Sequence, residues 1–403
     1  MSIFRRRDEE SKATLRKIQR QNGNDLCADC CGSEPKYACL NKGLFLCQSC
    51  CGVHRSFRNK VPRIKSVEID FWTEDMLEFM KQHGNDKGNV IWAKNVPIFY
   101  RRPRPEDAHV LKEQWIRAKY ERKEFVDGAP EPSYLNGTMR GYLKKRKKGD
   151  NHWHQVLFVL SEKELAYYLR DQDEKPKETF HVTKINVTFA QERTNIDNSL
   201  QITHVKDGIT RNYFVCSDSG QLIVDWYMAI RAAKFKALRQ NGLTVDLASL
   251  NMELMRDFTI EGVLEKKGPR GEPWQKRWCT LDGRRFLYFE QAMDATPKGE
   301  FIIGSTTEGY SVEEGDLSVT SQDEDYCFTI TVPSRIYALK AKTENERRMW
   351  LDCILEVIAQ PMTDEDKTEM KDTEKSNKQR SNSFGGSLVK SIRASFLRDE
   401  GSP

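Results

Sequence analysis

Two short cysteine pairs govern what the amino-terminal part of this chain can become. In "CADCCGSEPKYACLNKGLFLCQSC", Cys27 and Cys30 enclose two residues, Cys47 and Cys50 enclose two, and sixteen residues separate the pairs. Each pair can place two thiolates on one ion, and four thiolates at about 2.3 Å satisfy tetrahedral zinc with no open position. A closed shell is structural, and its binding supplies folding free energy of order 10 kcal/mol to a segment with little core of its own. One Zn ion on Cys27, Cys30, Cys47 and Cys50 is therefore expected. Cys31, Cys39 and Cys51 are expected to be small buried side chains, because a slipped ligand set loses the two-residue spacing. Taken alone, such a knot fits a DNA-binding finger as well as a protein-docking module.

Cysteine usage also bears on compartment. Seven of the eleven cysteines fall between Cys27 and Cys51. A secreted disulfide framework would spread them along the chain, so metal binding in a reducing, cytoplasmic setting is expected. With 38% hydrophobic and 31% charged residues over 403 positions, the composition is that of a globular protein of two or three domains. A net charge of +5 is nearly balanced over this length and gives no general argument for nucleic acid. No apolar run reaches the roughly 18–20 residues that span a bilayer. The start "MSIFRRRDEE" has no apolar segment behind its arginines, Ser2 is not glycine and the end reads "DEGSP", so neither a secretory signal nor lipidation is expected. Membrane contact is left to folded surfaces.

Arg55 stands after Cys50 within "CCGVHR", in a segment that the metal would hold rigid. This arrangement resembles the Arf GTPase-activating domain, and the likeness continues through "GLFLCQSCCGVHRSF", "RIKSVEIDFW", "HGN" at His83 to Asn85 and "EQWIRAKYERKEF" at 113–125. The resemblance implies that Arg55 acts as an arginine finger, a guanidinium delivered in trans to the GTP of an Arf. Arginine suits that task because its planar fork stays charged and offers several donors to phosphate oxygens. Such a finger is worth roughly a thousand- to hundred-thousand-fold in rate. His54 is expected to be a packing or hydrogen-bonding neighbour. Tyr37, Asn41 and Lys42 are placed near the Arf-facing surface by the same resemblance. The family usually has tryptophan where this chain has Tyr37 and often a hydrophobic residue where it has Lys42, which bears on strength and on the choice of Arf.

The remainder contains an internal repeat. "GYLKKRKKGDNHWHQVLFVL" from Gly141 matches "GVLEKKGPRGEPWQKRWCTL" from Gly262, with Gly141, Trp153 and Leu160 offset by 121 residues from Gly262, Trp274 and Leu281. Arg211 matches Arg335 and Trp226 matches Trp350 at an offset of 124. Each copy reads as short alternating strands closed by one amphipathic helix. Both copies resemble the pleckstrin homology (PH) domain, with Trp226 and Trp350 expected in the cores. In inositide-binding members a lysine on the first strand joins a basic-x-arginine pair on the second, whose side chains share a strand face. The second copy offers Lys266, Arg277 and Tyr288 with Lys267, Arg270 and Lys276 around them, although Gln275 replaces the basic partner. The first offers Lys145, Lys147 and Lys148, but His154 and Val156 occupy the pair. The second copy is therefore expected to be the better reader.

The expected fold is multi-domain α+β: a small zinc-binding domain at 1–126, a joint at 127–136, a PH-type β-barrel at 137–237, a linker at 238–257, a second barrel at 258–360, and a disordered basic Ser-rich tail at 361–403, each barrel capped by a carboxy-terminal helix. Leu388, Ile392 and Phe396 in the tail recur at helical spacing, and Ser383 reads as a phosphorylation site. The whole order resembles the dual-PH Arf GAP family called centaurin-alpha or ADAP. That resemblance implies a monomeric GTPase activator with no turnover of its own, recruited from cytoplasm to plasma membrane by phosphatidylinositol bis- or trisphosphate, or binding soluble inositol phosphates, and acting on an Arf of the Arf6 class. The competing readings are a catalytically silent inositide-binding scaffold and a nucleic-acid binder, and the PH pair argues against the latter.

Overall fold

The computed structural model describes residues 3–57, 63–149, 152–242, 250, 253–268, 273–315 and 326–379. Strands β1 (Tyr37–Cys39), β2 (Leu44–Leu46) and β3 (Ile64–Ser66) form an antiparallel sheet in the order β2-β1-β3. Among the described residues five helices accompany it: Ile3–Gln19, Gln48–Arg55, Glu74–Gln82, Asn85–Trp92 and His109–Tyr120. Strands of three residues bury too little to stand alone, so side-chain clips must hold this domain. Gly43, at φ +65, closes the β1–β2 hairpin where a Cβ would lie 2.3 Å from His83. Asn85, buried beside it, accepts from Phe45 N at 2.8 Å and donates to Leu26 O at 2.6 Å. Those two contacts explain the "HGN" segment: it ties β2 to the loop entering the first cysteine pair.

Each repeat copy is a seven-stranded antiparallel sheet followed by a helix. In the first, β4 (Met139–Arg146), β5 (Trp153–Leu160), β6 (Glu164–Tyr168), β7 (Glu178–His181), β8 (Ile185–Phe189), β9 (Ser199–Lys206) and β10 (Ile209–Cys216) run in the order β7-β6-β5-β4-β10-β9-β8. In the second, β11 (Ile260–Lys266), β12 (Gln275–Asp282), β13 (Arg285–Phe289), β14 (Gly299–Ile302), β15 (Ser311–Glu314), β16 (Cys327–Val332) and β17 (Arg335–Lys340) repeat that order as β14-β13-β12-β11-β17-β16-β15. Among the described residues no ladder joins β7 to β8 or β14 to β15, so hydrogen bonds do not close either sheet into a barrel. The closing helices Gly220–Gln240 and Glu344–Ala359 start on Ser219 and Thr343, whose side chains accept from the third backbone N–H beyond them. Trp226 and Trp350 are buried against Phe158 and Phe286, as their core assignment requires.

The domains are not beads on a string. One apolar core runs from Cys27 to Met255 and includes Trp115 and Phe125 of the amino-terminal domain with Phe158 and Trp226 of the first PH copy. Arg231, fully buried on the helix Gly220–Gln240, donates from Nε to Phe99 O at 2.8 Å. The joint at 127–136 packs too, with Tyr134 buried and donating to Glu124 at 2.6 Å. In the linker at 238–257, Leu250, Leu254 and Met255 enter the same core.

The tail expectation needs correcting. Residues 364–379 are helical, whereas disorder was expected from 361. Composition hid a docking face: Asp366 and Glu369 pair with Arg284 at 3.2 Å and Arg285 at 2.6 Å, Met370 meets Tyr310, and Ser376 donates to Asp207 O of the first PH copy at 2.5 Å. Asn377 donates to Glu300 O at 2.8 Å. The helix thus straps the two PH copies together through polar contacts. Ser383, Leu388, Ile392 and Phe396 lie outside the described residues.

Asp225 sits at the seam between the amino-terminal domain and the first PH copy. Burial raises its carboxyl to about 6, with Glu124 adding to the shift and Arg122 opposing it. A carboxyl whose folded pKa exceeds its unfolded value weakens the fold wherever it must ionise, so the penalty grows between about pH 4 and 6 and is fully present at 7. Asp225→Asn is expected to stabilise the chain by roughly 1–2 kcal/mol at pH 7. Urea denaturation at several pH values should show that gain shrinking as pH falls from 7 to 5.

Candidate functional site

The Sγ atoms of Cys27, Cys30, Cys47 and Cys50 all lie within 4.8 Å of one another, and Cys30 and Cys47 approach to 3.6 Å. Tetrahedral bonds of about 2.3 Å put sulfurs about 3.8 Å apart, so the four residues fit one metal ion. Cys47 caps the helix Gln48–Arg55, its sulfur accepting from Cys50 N at 3.5 Å. The metal shell and the helix start are therefore one structure. Cys39 and Cys51 are fully buried as expected, but Cys31 is exposed, with φ +57. The tight turn after Cys30 is the reason: it requires a left-handed residue, whose side chain is carried out to solvent.

The far end of that helix is fixed by buried charge. Asp29, between the first two cysteines, accepts from Lys119 Nζ at 3.1 Å and Tyr120 OH at 2.9 Å, and its other oxygen lies 2.9 Å from His54 Nε2. All four side chains are buried. Burial pushes the Asp29 carboxyl up, but Lys119 and His54 more than offset it and hold it well below the usual carboxylate range. Arg117, braced by Glu113 at 2.9 Å and Glu121 at 2.6 Å, donates to Ser56 Oγ at 3.0 Å. Arg55 thus sits between an anchored residue on each side and is itself exposed. His54 is the hydrogen-bonding neighbour the sequence reading expected.

The guanidinium of Arg55 stands 5.2 Å from the ring centre of Tyr37 on β1. A tyrosine therefore serves as an aromatic rest for the arginine, at about 0.5–1 kcal/mol for an exposed pair. Lys42 behaves otherwise, with its ammonium half-buried over the rings of Trp92 at 4.7 Å and Tyr120 at 5.1 Å. Exposed Asn41 accepts from Arg63 N and closes the loop onto the start of β3. Sequence reasoning missed Asp29, Lys119, Tyr120 and Arg117. A charged pair 90 residues apart leaves no local signal.

The two PH copies place equivalent lysines identically. Lys145 lies over Tyr167 and Tyr213 at 5.0 and 5.6 Å, and Lys266 over Tyr288 and Tyr337 at the same distances. Burial lowers the Lys145 pKa, with Glu178 opposing, and burial with Lys145 and Lys147 lowers that of His154. A cavity of about 980 Å³ opens over the first copy and is lined by Lys145, Lys147, Lys148, Lys177, Arg211 and His154, with Glu178 as its acidic residue. Val156 is buried and does not line it. In the second copy Arg277 donates to Gln275 and, at 2.8 Å, to Lys276 O, and Lys276 is exposed. Lys267 lies 5.6 Å from the Trp274 ring, and Arg270 is outside the described residues. Arg211 could have been found from the repeat, where it aligns with Arg335.

Asp29→Asn should leave Lys119 buried without its counter-charge, which typically costs 3–5 kcal/mol. Guanidinium unfolding of the zinc-saturated protein is the check, and a loss under about 1 kcal/mol would show that the network carries little.

Comparisons with known proteins agree with this geometry. Residues 12–129 match the ArfGap family of GTPase activating proteins for Arf, and residues 137–235 and 258–359 each match the PH domain. Human Arf-GAP with dual PH domain-containing protein 2 is 38% identical over 365 residues, covering 88% of this chain and 95% of that protein. Mouse stromal membrane-associated protein 1 is 37% identical over 120 residues, covering 30% of this chain and 27% of that protein. The solved ArfGap domain of HIV-1 Rev binding protein is 27% identical, with a TM-score of 0.29, covering 31% of this chain and 94% of that one. With one ArfGap domain, two PH domains and such a relative matched over nearly its full length, this chain belongs to the family of Arf GAPs with dual PH domains.

Proposed function

We propose that this protein accelerates GTP hydrolysis by an Arf-family GTPase of the Arf6 class, at membranes it reaches through polyphosphorylated inositide headgroups. The observation that carries the reading is Arg55: exposed at the end of a helix whose start is a metal ligand and whose penultimate residue is pinned by Asp29. In phosphoryl transfer, charge spreads over the oxygens of the moving group, and a positioned guanidinium neutralises it. A displacement of about 1 Å costs much of that benefit, so rigid mounting is the functional requirement. Four thiolates in a closed shell suit zinc, which would supply only structural clamping. No base is needed from this chain.

Tyr37 parks the guanidinium until the GTPase replaces it. Exposed Ile69 and Phe71, on the loop after β3, offer apolar surface to the same partner. The PH copies select the place of action, with Lys145, Lys147, Lys148 and Arg211 in the first and Lys266, Lys276, Arg277 and Tyr288 in the second. The arrangement requires no second copy of the chain. Among the described residues no helix is long and apolar enough to cross a membrane. Recruitment through headgroups is consistent with that, at about 1 kcal/mol per basic residue near an anionic leaflet.

Single-turnover hydrolysis of Arf-bound GTP on inositide-containing vesicles tests the reading. Wild type should accelerate turnover by roughly a thousandfold or more, and Arg55→Lys should lose nearly all of it while keeping its zinc and its vesicle binding. No acceleration by either protein would leave the inositide-binding scaffold as the function.

A further inference from the structure

The cavity over the first PH copy is not built by that copy alone. Met293, Ala295 and Thr296, which belong to the β13–β14 loop of the second copy, form part of its lining. The reason lies in sheet geometry. β10 pairs with β4 only at Val215–Lys145 and Cys216–Lys144, so residues 209–214 have no strand partner on that side. Their outward amides are taken by the second copy: Asn212 N donates to Ala295 O at 2.8 Å, and Thr210 N donates to the Glu300 carboxylate at 3.1 Å. Thr210, Asn212 and Glu300 are buried. Arg146 adds a bond from its guanidinium to Met293 O at 2.8 Å. At the equivalent place in the second copy, Ile336 is about half exposed.

We propose that the second PH domain supplies one wall of the first domain's anion site, making it a two-domain pocket for a polyphosphorylated inositol, and that this wall helps set which headgroup fits. The inference rests on reading the first copy as an anion site. A ring carrying several phosphates needs cations on more than one side, and the first copy supplies them from β4, the loop after it, Lys177 and Arg211. Met293, Ala295 and Thr296 bring no charge into the cavity but bound one side of it, and its volume of about 980 Å³ is within the range of small-ligand sites. Because the loop is held by Arg146 and Asn212, an occupant that draws on Arg146 is coupled to the docking of the two domains.

Half-buried Thr296 is the position to test. In the full chain carrying Arg277→Ala and Lys276→Ala to weaken the second site, a soluble inositol pentakisphosphate is titrated calorimetrically against Thr296→Glu, Thr296→Lys and Lys147→Glu. The expected result is roughly tenfold weaker binding for Thr296→Glu and several-fold tighter binding for Thr296→Lys, since a charge on the wall acts on the ligand through a low-dielectric site. Mere disruption would weaken both. Vesicles containing phosphatidylinositol trisphosphate form a second arm: the same pair of shifts there assigns the site to a lipid headgroup, and shifts in the soluble titration alone assign it to a free inositol phosphate. If Lys147→Glu weakens binding while both Thr296 variants match their parent, the wall is overturned and the anion site stands. If none of the three changes binding, the anion site itself is overturned.

Discussion

The contact between Asp29 and His54 carries the design. Asp29 lies between Cys27 and Cys30 of the four-cysteine cluster, and His54 lies next to Arg55, so one 2.9 Å contact joins that cluster to the arginine proposed as the finger. Lys119 and Tyr120 complete the cluster from the last helix of the domain. Burying an anion costs several kcal/mol, and the cluster offsets this by giving it a cation and two further hydrogen-bond partners. What the fold gains is placement. A surface arginine samples many rotamers; here Arg55 leaves a backbone fixed at both ends and rests on an aromatic ring.

The same economy appears at larger scale. The amino-terminal domain and first PH copy share one apolar core, and buried Arg231 bonds to the backbone of the neighbouring domain. The second PH copy docks on the splayed edge of β10 through Glu300, which also meets Arg285 at 2.8 Å. Arg285 in turn holds the carboxy-terminal helix through Glu369. A chain of polar contacts, with Glu300 and Arg285 buried at its centre, therefore runs from β10 to the last helix. Such a body holds Arg55 and the basic faces of the PH copies in a fixed relation, which suits the function proposed above.

Much of this was legible in the sequence, and the remainder was hidden for physical reasons. The cysteine spacing, the duplicated "G-x-L" starts and the paired tryptophans each repeat over short distances, so local pattern reveals them. Lys145 and Lys266 were legible because each copy vouches for the other. Asp29 and Lys119 were not, since a buried ion pair is written by residues far apart in the chain. Cys31 misled because a turn requirement outweighed the tendency of cysteine to be buried. The tail misled because Asp366 and Glu369 form an acidic face whose partners are arginines elsewhere in the chain. The wall at 293–296 was invisible, as nothing local in "QAMDATPKG" points to another domain.

Trapping the transition state tests the central claim most directly. Aluminium fluoride added to Arf·GDP mimics the transferring phosphoryl group, so a guanidinium that acts there should bind only when the mimic is present. Pull-down or analytical ultracentrifugation with zinc-loaded protein is expected to show a complex that requires both fluoride and Arg55, and that Arg55→Lys fails to form. Fluoride-independent association of equal strength for wild type and variant would contradict the account.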